Sequence, residues 1–289
     1  YCIHCIMNYY NFGLNNGLMV PDKDSILPNV PKAPYYALKV SCVATGYRHI
    51  DRAIGHIALI DVLLNIPVNM YIKPKQKVTS YLTPITGLTE TYINSGWDLQ
   101  TAREILLKLL PKNACLIGQN IYNDIDWLKL KKGIHFRDSV DLRNIWRKWS
   151  KKHNSYTIFS LRHQAKCVLN IPEYAYAGSA SYDAKISMSL FKSYINNRFR
   201  NPLLIKRLKM KLSVTTAPKK FSANNPYYDG VCMGNKLYCK CGAPPLYNLK
   251  PNNINIVTKS VKKNIAITPE LIQKKLNKLL GPDHPINNN

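Results

Sequence analysis

Gly118-Gln119-Asn120-Ile121-Tyr122-Asn123-Asp124-Ile125-Asp126-Trp127-Leu128 is the stretch whose reading decides the architecture. Just before it, Ala114 to Ile117 has the length and composition of a short buried strand, and Tyr122 to Leu130 reads as a helix ended near Gly133. A strand that runs straight into a helix and presents one buried carboxylate, here Asp124, is an arrangement suited to an active site. Two further stretches flank it, Ala37-Leu38-Lys39-Val40-Ser41-Cys42-Val43-Ala44-Thr45-Gly46 upstream and Ser181-Tyr182-Asp183-Ala184 downstream.

Working outward, Tyr36 to Val43, Ile54 to Asp61 and Val68 to Ile72 are apolar runs of strand length, which predicts an antiparallel meander. Asp98 to Leu110 carries apolar residues at helical spacing, opened by an Asp cap and stopped by Pro111. Phe136 to Leu142 is extended. Ser160 to Leu169 and Ser181 to Tyr194 are two more helices. Strands followed by alternating helices and strands predict an α/β fold of the ribonuclease-H-like kind, a mixed sheet flanked by helices, over residues 35–198. Residues 1–34 read as an arm interrupted by Pro21, Pro28, Pro31 and Pro34, and residues 199–289 as a basic extension with a short helix after Thr268-Pro269-Glu270.

With 289 residues, 46% of them hydrophobic, the chain can bury one core of ordinary domain size. Lys+Arg number 41 against 16 Asp+Glu, a net charge of +25, which points to a polyanionic partner, nucleic acid above all. Residues 201–289 hold 15 Lys/Arg and 3 acids, so +12 of that excess falls in the extension. No run of 18 apolar residues predicts a membrane partner. The first residue is Tyr1 rather than Met, as expected of a fragment or processed product, and an intracellular or virion setting fits better than secretion.

These motifs resemble the DEDD superfamily of 3'-5' exonucleases, of the DEDDh type and its RNA-exonuclease branch, over roughly residues 35–198. In the first motif Ala37, Leu38, Val43, Thr45 and Gly46 match, but Lys39 stands for the family's Asp and Ser41 for its Glu. Val78-Thr79-Ser80-Tyr81-Leu82-Thr83-Pro84-Ile85-Thr86-Gly87-Leu88-Thr89 matches the loop before the first helix. Asp124 matches the second-motif acid and Asp183 the final acid, while Gly178 occupies the place of the general-base His. The resemblance implies a two-metal mechanism needing several carboxylates, so Lys39, Ser41, Asp124, Gly178 and Asp183 mark a vestigial catalytic site. Mg2+ or Mn2+ is expected only if the exonuclease site is active. The expectation is that Lys39 replaces the metal and neutralises Asp124 and Asp183, an attraction on the order of 4 kcal/mol at about 4 Å. The competing readings are a Lys39 that snorkels to solvent, and a register in which Ser179 or Tyr182 lies nearest the old base.

Arg143, Arg147, Lys148, Lys151 and Lys152 surround Trp146 and Trp149, an interleaving suited to single-stranded nucleic acid. Ile145, Trp146 and Trp149 also fit one helical face, which would bury the rings. Cys42, Cys115 and Cys167 read as small core residues, whereas Cys2 and Cys5, with Cys232, Cys239 and Cys241, are candidate ligands of a structural zinc joining the two ends. Reduced free thiols are the alternative.

The resulting expectation is a catalytically degenerate exonuclease-like protein that binds nucleic acid, with RNA as the expected partner. One rival is an active metal-dependent exonuclease in which Asp124, Asp183 and a displaced acid such as Asp126 rebuild the site; of the acids nearest Lys39 in sequence, Asp51 falls in a loop and Asp61 at the far end of its strand. Another is a basic component of a large ribonucleoprotein or virion assembly.

Overall fold

Leu38 and Val40 alternate with Ala37 along a strand buried on both faces, and that two-sided burial makes it the centre of the sheet. In the computed structural model, which describes residues 33–173, 178–234, 239 and 241, this strand is β1 (Tyr35–Ala44). It pairs antiparallel with β2 (Arg52–Asp61), which pairs antiparallel with β3 (Val68–Tyr71). On its other side it runs parallel to β4 (Cys115–Gly118), itself parallel to β5 (Asp138–Asp141). The mixed five-stranded order is β3-β2-β1-β4-β5, and the anticipated meander and ribonuclease-H-like α/β fold are present. The arm up to residue 32, with Cys2 and Cys5, and the helix expected after Thr268 lie outside the described residues.

One face carries Leu38, Val40, Ile57, Leu59 and Leu116 against α3 (Leu99–Leu109) and α4 (Ile121–Trp127). Two short helices, α1 (Thr83–Thr86) and α2 (Glu90–Asn94), precede them in the chain. The opposite face carries Ala37, Ala58, Ile60 and Ile117 against α6 (Leu161–Val168) and α7 (Ala180–Asn197). Asp98 and Ser160 cap their helices by accepting a backbone N–H of the first turn, as the sequence predicts, and Ser179 caps α7 in the same way, two residues before the start expected at Ser181.

Two segments depart from the sequence expectation. Residues 143–152 do not form one helix: α5 (Leu142–Ile145) ends at once, and β6 (Arg147–Ser150) turns back into β7 (Ser155–Ile158). Trp146 is fully buried and packs edge-on against Tyr194, whereas Trp149 packs against Tyr156 across the hairpin. The rings are thus divided between core and hairpin instead of sharing a helical face.

The second departure is α8 (Pro202–Val214), beyond the 198 boundary read from the sequence. Asn201 caps it, Pro202 occupies its first turn, and Ile205 and Leu212 enter the core with Leu208 packed alongside. Buried His163 of α6 donates from Nε2 to the carbonyl of Leu212 at 2.8 Å. That carbonyl is in the last turn of α8, where backbone acceptors lack intrahelical partners. His163→Ala leaves the acceptor unpaired and a hole between the helices, and is expected to cost about 2 kcal/mol. A fall in the denaturation midpoint, read by urea titration, checks this.

Candidate functional site

β4 accompanies β1 only from Tyr35 to Ala37, so at Lys39 and Val40 the central strand has no strand neighbour on that side, and Ser80 bridges to it only at Ala44. α4 fills the gap with a carboxylate. The turn into it is tight, since a Cβ on Gly118 would lie 3.2 Å from the Leu38 carbonyl oxygen and 2.9 Å from the Ile121 Cδ1. Asn120 then takes a left-handed conformation, φ 59°, which Asn tolerates better than most residues. The result brings Asp124 Oδ1 to 2.9 Å from the Val40 N–H, which donates to it in place of a strand neighbour.

The same oxygen accepts from Lys39 Nζ at 3.0 Å, and Oδ2 lies 3.4 Å from that nitrogen. The Asp124 side chain is 3% exposed and that of Lys39 23%. Burial, the largest influence, would lower the Lys39 pKa, but the Asp124 and Asp183 carboxylates outweigh it and hold the ammonium above the ordinary lysine range. Burial lifts the Asp124 carboxyl above the usual carboxylate range, against the pull of Lys39 and the Val40 N–H. Lys39 therefore faces its acids and does not snorkel to solvent.

The remaining sequence candidates are arranged around this pair. Ser41 lies two residues further along the same face of β1, nearly buried and paired across the ladder with His56. Asp183 sits in the first turn of α7. Gly178, with φ +71°, precedes the Ser179 cap; the Ser179 hydroxyl accepts the Tyr182 N–H and so faces its own helix. Burial, then the charge of Asp183, raises the Tyr182 pKa, leaving a neutral phenol and no base.

Of the acids proposed to rebuild the site, two are engaged elsewhere and one faces solvent. Asp51 is bound by Arg48, Asp61 caps the β2–β3 turn by accepting from Leu63 and Asn65, and Asp126 is exposed on α4. Sequence reasoning missed Asp141. This buried acid at the end of β5 accepts the Asn120 N–H at 3.1 Å and the Arg143 guanidinium at 2.7 Å, fixing the turn into α4. Its signal was its place after the Ser139-Val140 alternation, at the same sheet edge as Gly118.

Hydrolysis with two cations requires carboxylates that converge on the metals. Here Asp124 and Asp183 are the acids of the three motifs, Ser41 offers a hydroxyl, and an ammonium occupies the approach to Asp124. The residues present do not fit a two-cation centre.

No protein-family model matches the chain. It is similar to RNA exonuclease 4 of Candida glabrata, 24% identical over 159 residues that cover 55% of this chain and 59% of that protein. RNA exonuclease 4 of Gibberella zeae is 24% identical over 192 residues, covering 64% of this chain and 58% of that protein. The chain thus spans less than two thirds of the length of these relatives. Among solved structures, the Neurospora crassa Pan2 catalytic unit of protease and nuclease domains superposes with a TM-score of 0.51 and 15% identity, over 70% of this chain and 34% of that one. The Saccharomyces cerevisiae Pan2 pseudoubiquitin hydrolase-RNA exonuclease module in complex with AAUUAA RNA gives 0.51 and 15%, over 66% and 34%.

The chain is similar in sequence to RNA exonuclease 4 proteins and shares the fold of the Pan2 nuclease domains.

Of the basic residues singled out in the sequence, Arg143 is held by Asp141 through both Nε and a terminal nitrogen. The Arg147 guanidinium lies 3.8 Å over the Tyr156 ring. Lys148 is half-buried on β6, and Lys151 and Lys152 are exposed at the hairpin turn. Of the cysteines, Cys115 and Cys167 are buried and Cys42 half-buried, and burial pushes the Cys42 and Cys115 thiols up to about 12, as befits inert core residues. Cys232, Cys239 and Cys241 do come together, but their companion among the described residues is His49, which the sequence reading did not single out.

Proposed function

We propose that the protein is a catalytically degenerate 3'-5' exonuclease-like protein that binds single-stranded RNA without cleaving it. The observation that carries this reading is the Lys39 ammonium 3.0 Å from Asp124, an internal cation at the acid that the superfamily's motif would present to a metal. A fixed ammonium can neutralise phosphate and carboxylate but cannot activate a water, and among the described residues Ser41 and Gly178 put neither a carboxylate nor a general base at their motif positions.

RNA as the partner is supported by the net charge of +25 and by relatives named RNA exonuclease 4, together with a Pan2 module that superposes and was solved with RNA. Lys151 and Lys152 at the tip of the β6–β7 hairpin, with Lys148 on its strand, are the phosphate contacts assigned here.

The test is incubation of the purified chain with 3'-labelled single-stranded RNA and DNA in Mg2+ and in Mn2+, beside Asp124→Ala. The expected result is RNA binding that weakens as salt rises, with cleavage no greater than in Asp124→Ala. Metal-dependent shortening of the RNA that the substitution abolishes would overturn the reading. Lys151→Ala/Lys152→Ala is expected to weaken RNA binding about three- to tenfold and to flatten its salt dependence.

A further inference from the structure

Away from the Lys39–Asp124 pair, the chain after α8 returns to the body through α9 (Phe221–Asn224) and a small hairpin of β8 (Tyr227–Tyr228) and β9 (Val231–Cys232). Asp229 and Gly230, both with positive φ, form the tip, as a two-residue hairpin turn demands. Val231 is fully buried with Ala44 and Leu82, the Cys232 N–H donates to the Tyr47 carbonyl at 2.8 Å, and the Ser80 hydroxyl donates to Asp229 at 2.6 Å. The hairpin is therefore seated against the end of β1 by ordinary contacts.

At that seat four donor atoms meet. His49 Nδ1, from the β1–β2 connection, lies 3.2 Å from Cys239 Sγ; Cys239 Sγ lies 3.4 Å from Cys232 Sγ and 2.9 Å from Cys241 Sγ; all four lie within 4.8 Å of one another. We infer that His49, Cys232, Cys239 and Cys241 form a Cys3His zinc centre that fastens the C-terminal segment to the exonuclease-like body.

Three considerations carry the assignment. The first is size: Zn–S bonds of about 2.3 Å in a tetrahedron place sulfurs about 3.8 Å apart, so the cluster needs only a slight outward movement to hold the ion. The second is donor chemistry. Three thiolates and an imidazole select zinc over the hard cations, and four protein ligands leave no open position, which marks a structural site and not a hydrolytic one.

The third is the surroundings. The Gly234 N–H points at Cys232 Sγ at 3.4 Å, in a turn whose φ of +70° suits glycine, and such N–H···S contacts steady a metal thiolate. Three thiolates around Zn2+ leave a net charge of −1. Arg52 answers it, donating to the Cys232 carbonyl at 2.8 Å within electrostatic reach of Cys232 and Cys241. Zinc binding releases the thiol protons to solvent and changes no oxidation state. This ligand set replaces the composite expected from the sequence, because His49 supplies the fourth donor without Cys2 or Cys5.

The experiment is metal content per chain by mass spectrometry, together with the visible spectrum after exchange with Co2+. About one zinc per chain is expected, with thiolate-to-cobalt charge-transfer and tetrahedral d–d bands. Cys239→Ser and His49→Ala should each weaken zinc binding by at least about 100-fold. His49→Cys should keep the metal, and Cys2→Ser/Cys5→Ser should leave it untouched. Circular dichroism establishes that each variant is folded before its metal is counted. A folded parent chain without zinc and without cobalt–thiolate bands overturns the proposal. So does zinc that survives His49→Ala but is lost with Cys2 and Cys5.

Discussion

Replacing Lys39 by methionine is expected to lower stability by about 3 kcal/mol at neutral pH. The reason is asymmetric burial. The methylene stem is retained, but Asp124, 3% exposed, keeps its negative charge and its Val40 N–H while losing the cation 3.0 Å away. Part of the usual penalty for a broken buried pair is relieved by water reaching the vacated end, since the lysine side chain is itself 23% exposed.

The pH dependence follows from the directions of the two shifts. The folded-state pKa of Lys39 is raised, so its contribution is present through neutral pH and lost as pH climbs through that raised value. That of Asp124 is raised too, by burial, so its protonated form favours the fold and that contribution fades as pH rises through the raised value. In Lys39→Met the opposing cation is gone and the carboxyl pKa climbs further. The deficit relative to the parent is therefore full above that value and shrinks as the pH falls through it. Urea denaturation of both proteins at several pH values reads this directly, and a deficit that does not narrow toward acid pH would show that Asp124 is not its source.

The opposite exchange has the second large effect. Lys39→Asp/Ser41→Glu places two carboxylates on one face of β1 beside Asp124 and Asp183, and without divalent ions their mutual repulsion is expected to cost at least about 2 kcal/mol. Mn2+ should reverse that loss. Binding to the folded state alone raises the melting temperature with ion concentration, and an affinity gain of tenfold or more over the parent corresponds to at least about 1.4 kcal/mol. Thermal melts without chelator, at increasing Mn2+ and in its absence, with calorimetry, check the result; the parent chain should show no Mn2+ dependence. Cleavage is not expected to return with the metal. A side chain at Gly178 would have to adopt φ +71° and place its Cβ 3.1 Å from the Ile85 carbonyl oxygen, so Gly178→His carries a backbone cost of about 1–2 kcal/mol.

What the sequence disclosed, and what it hid, follows from how locally each feature is encoded. β1, β2 and α4 were legible because burial on one or two faces writes itself into consecutive residues, and the Lys39–Asp124 pair because both residues stand at motif positions of the exonucleases the sequence resembles. α8 was obscured by Lys206, Arg207, Lys209 and Lys211, whose charge masks the helical spacing of Ile205, Leu208 and Leu212. The β6–β7 hairpin has little apolar alternation; what stabilises it is Trp149 on Tyr156 and Arg147 over the same ring, cross-strand contacts with no periodic trace. His49 was invisible for another reason. It meets Cys239 across 190 residues of chain, and no local pattern can announce a pairing that only the docked hairpin creates.

The ammonium at Asp124 differs from a bound ion in one further respect. A coordinated cation has a dissociation constant, so a groove that depends on one responds to the free magnesium of its surroundings and empties before a chelator. Lys39 is tethered by its own backbone to the strand it serves, and its effective concentration there is fixed once β1 is formed. The charge balance of this groove is thereby removed from the ionic economy of the solution and made a property of folding alone.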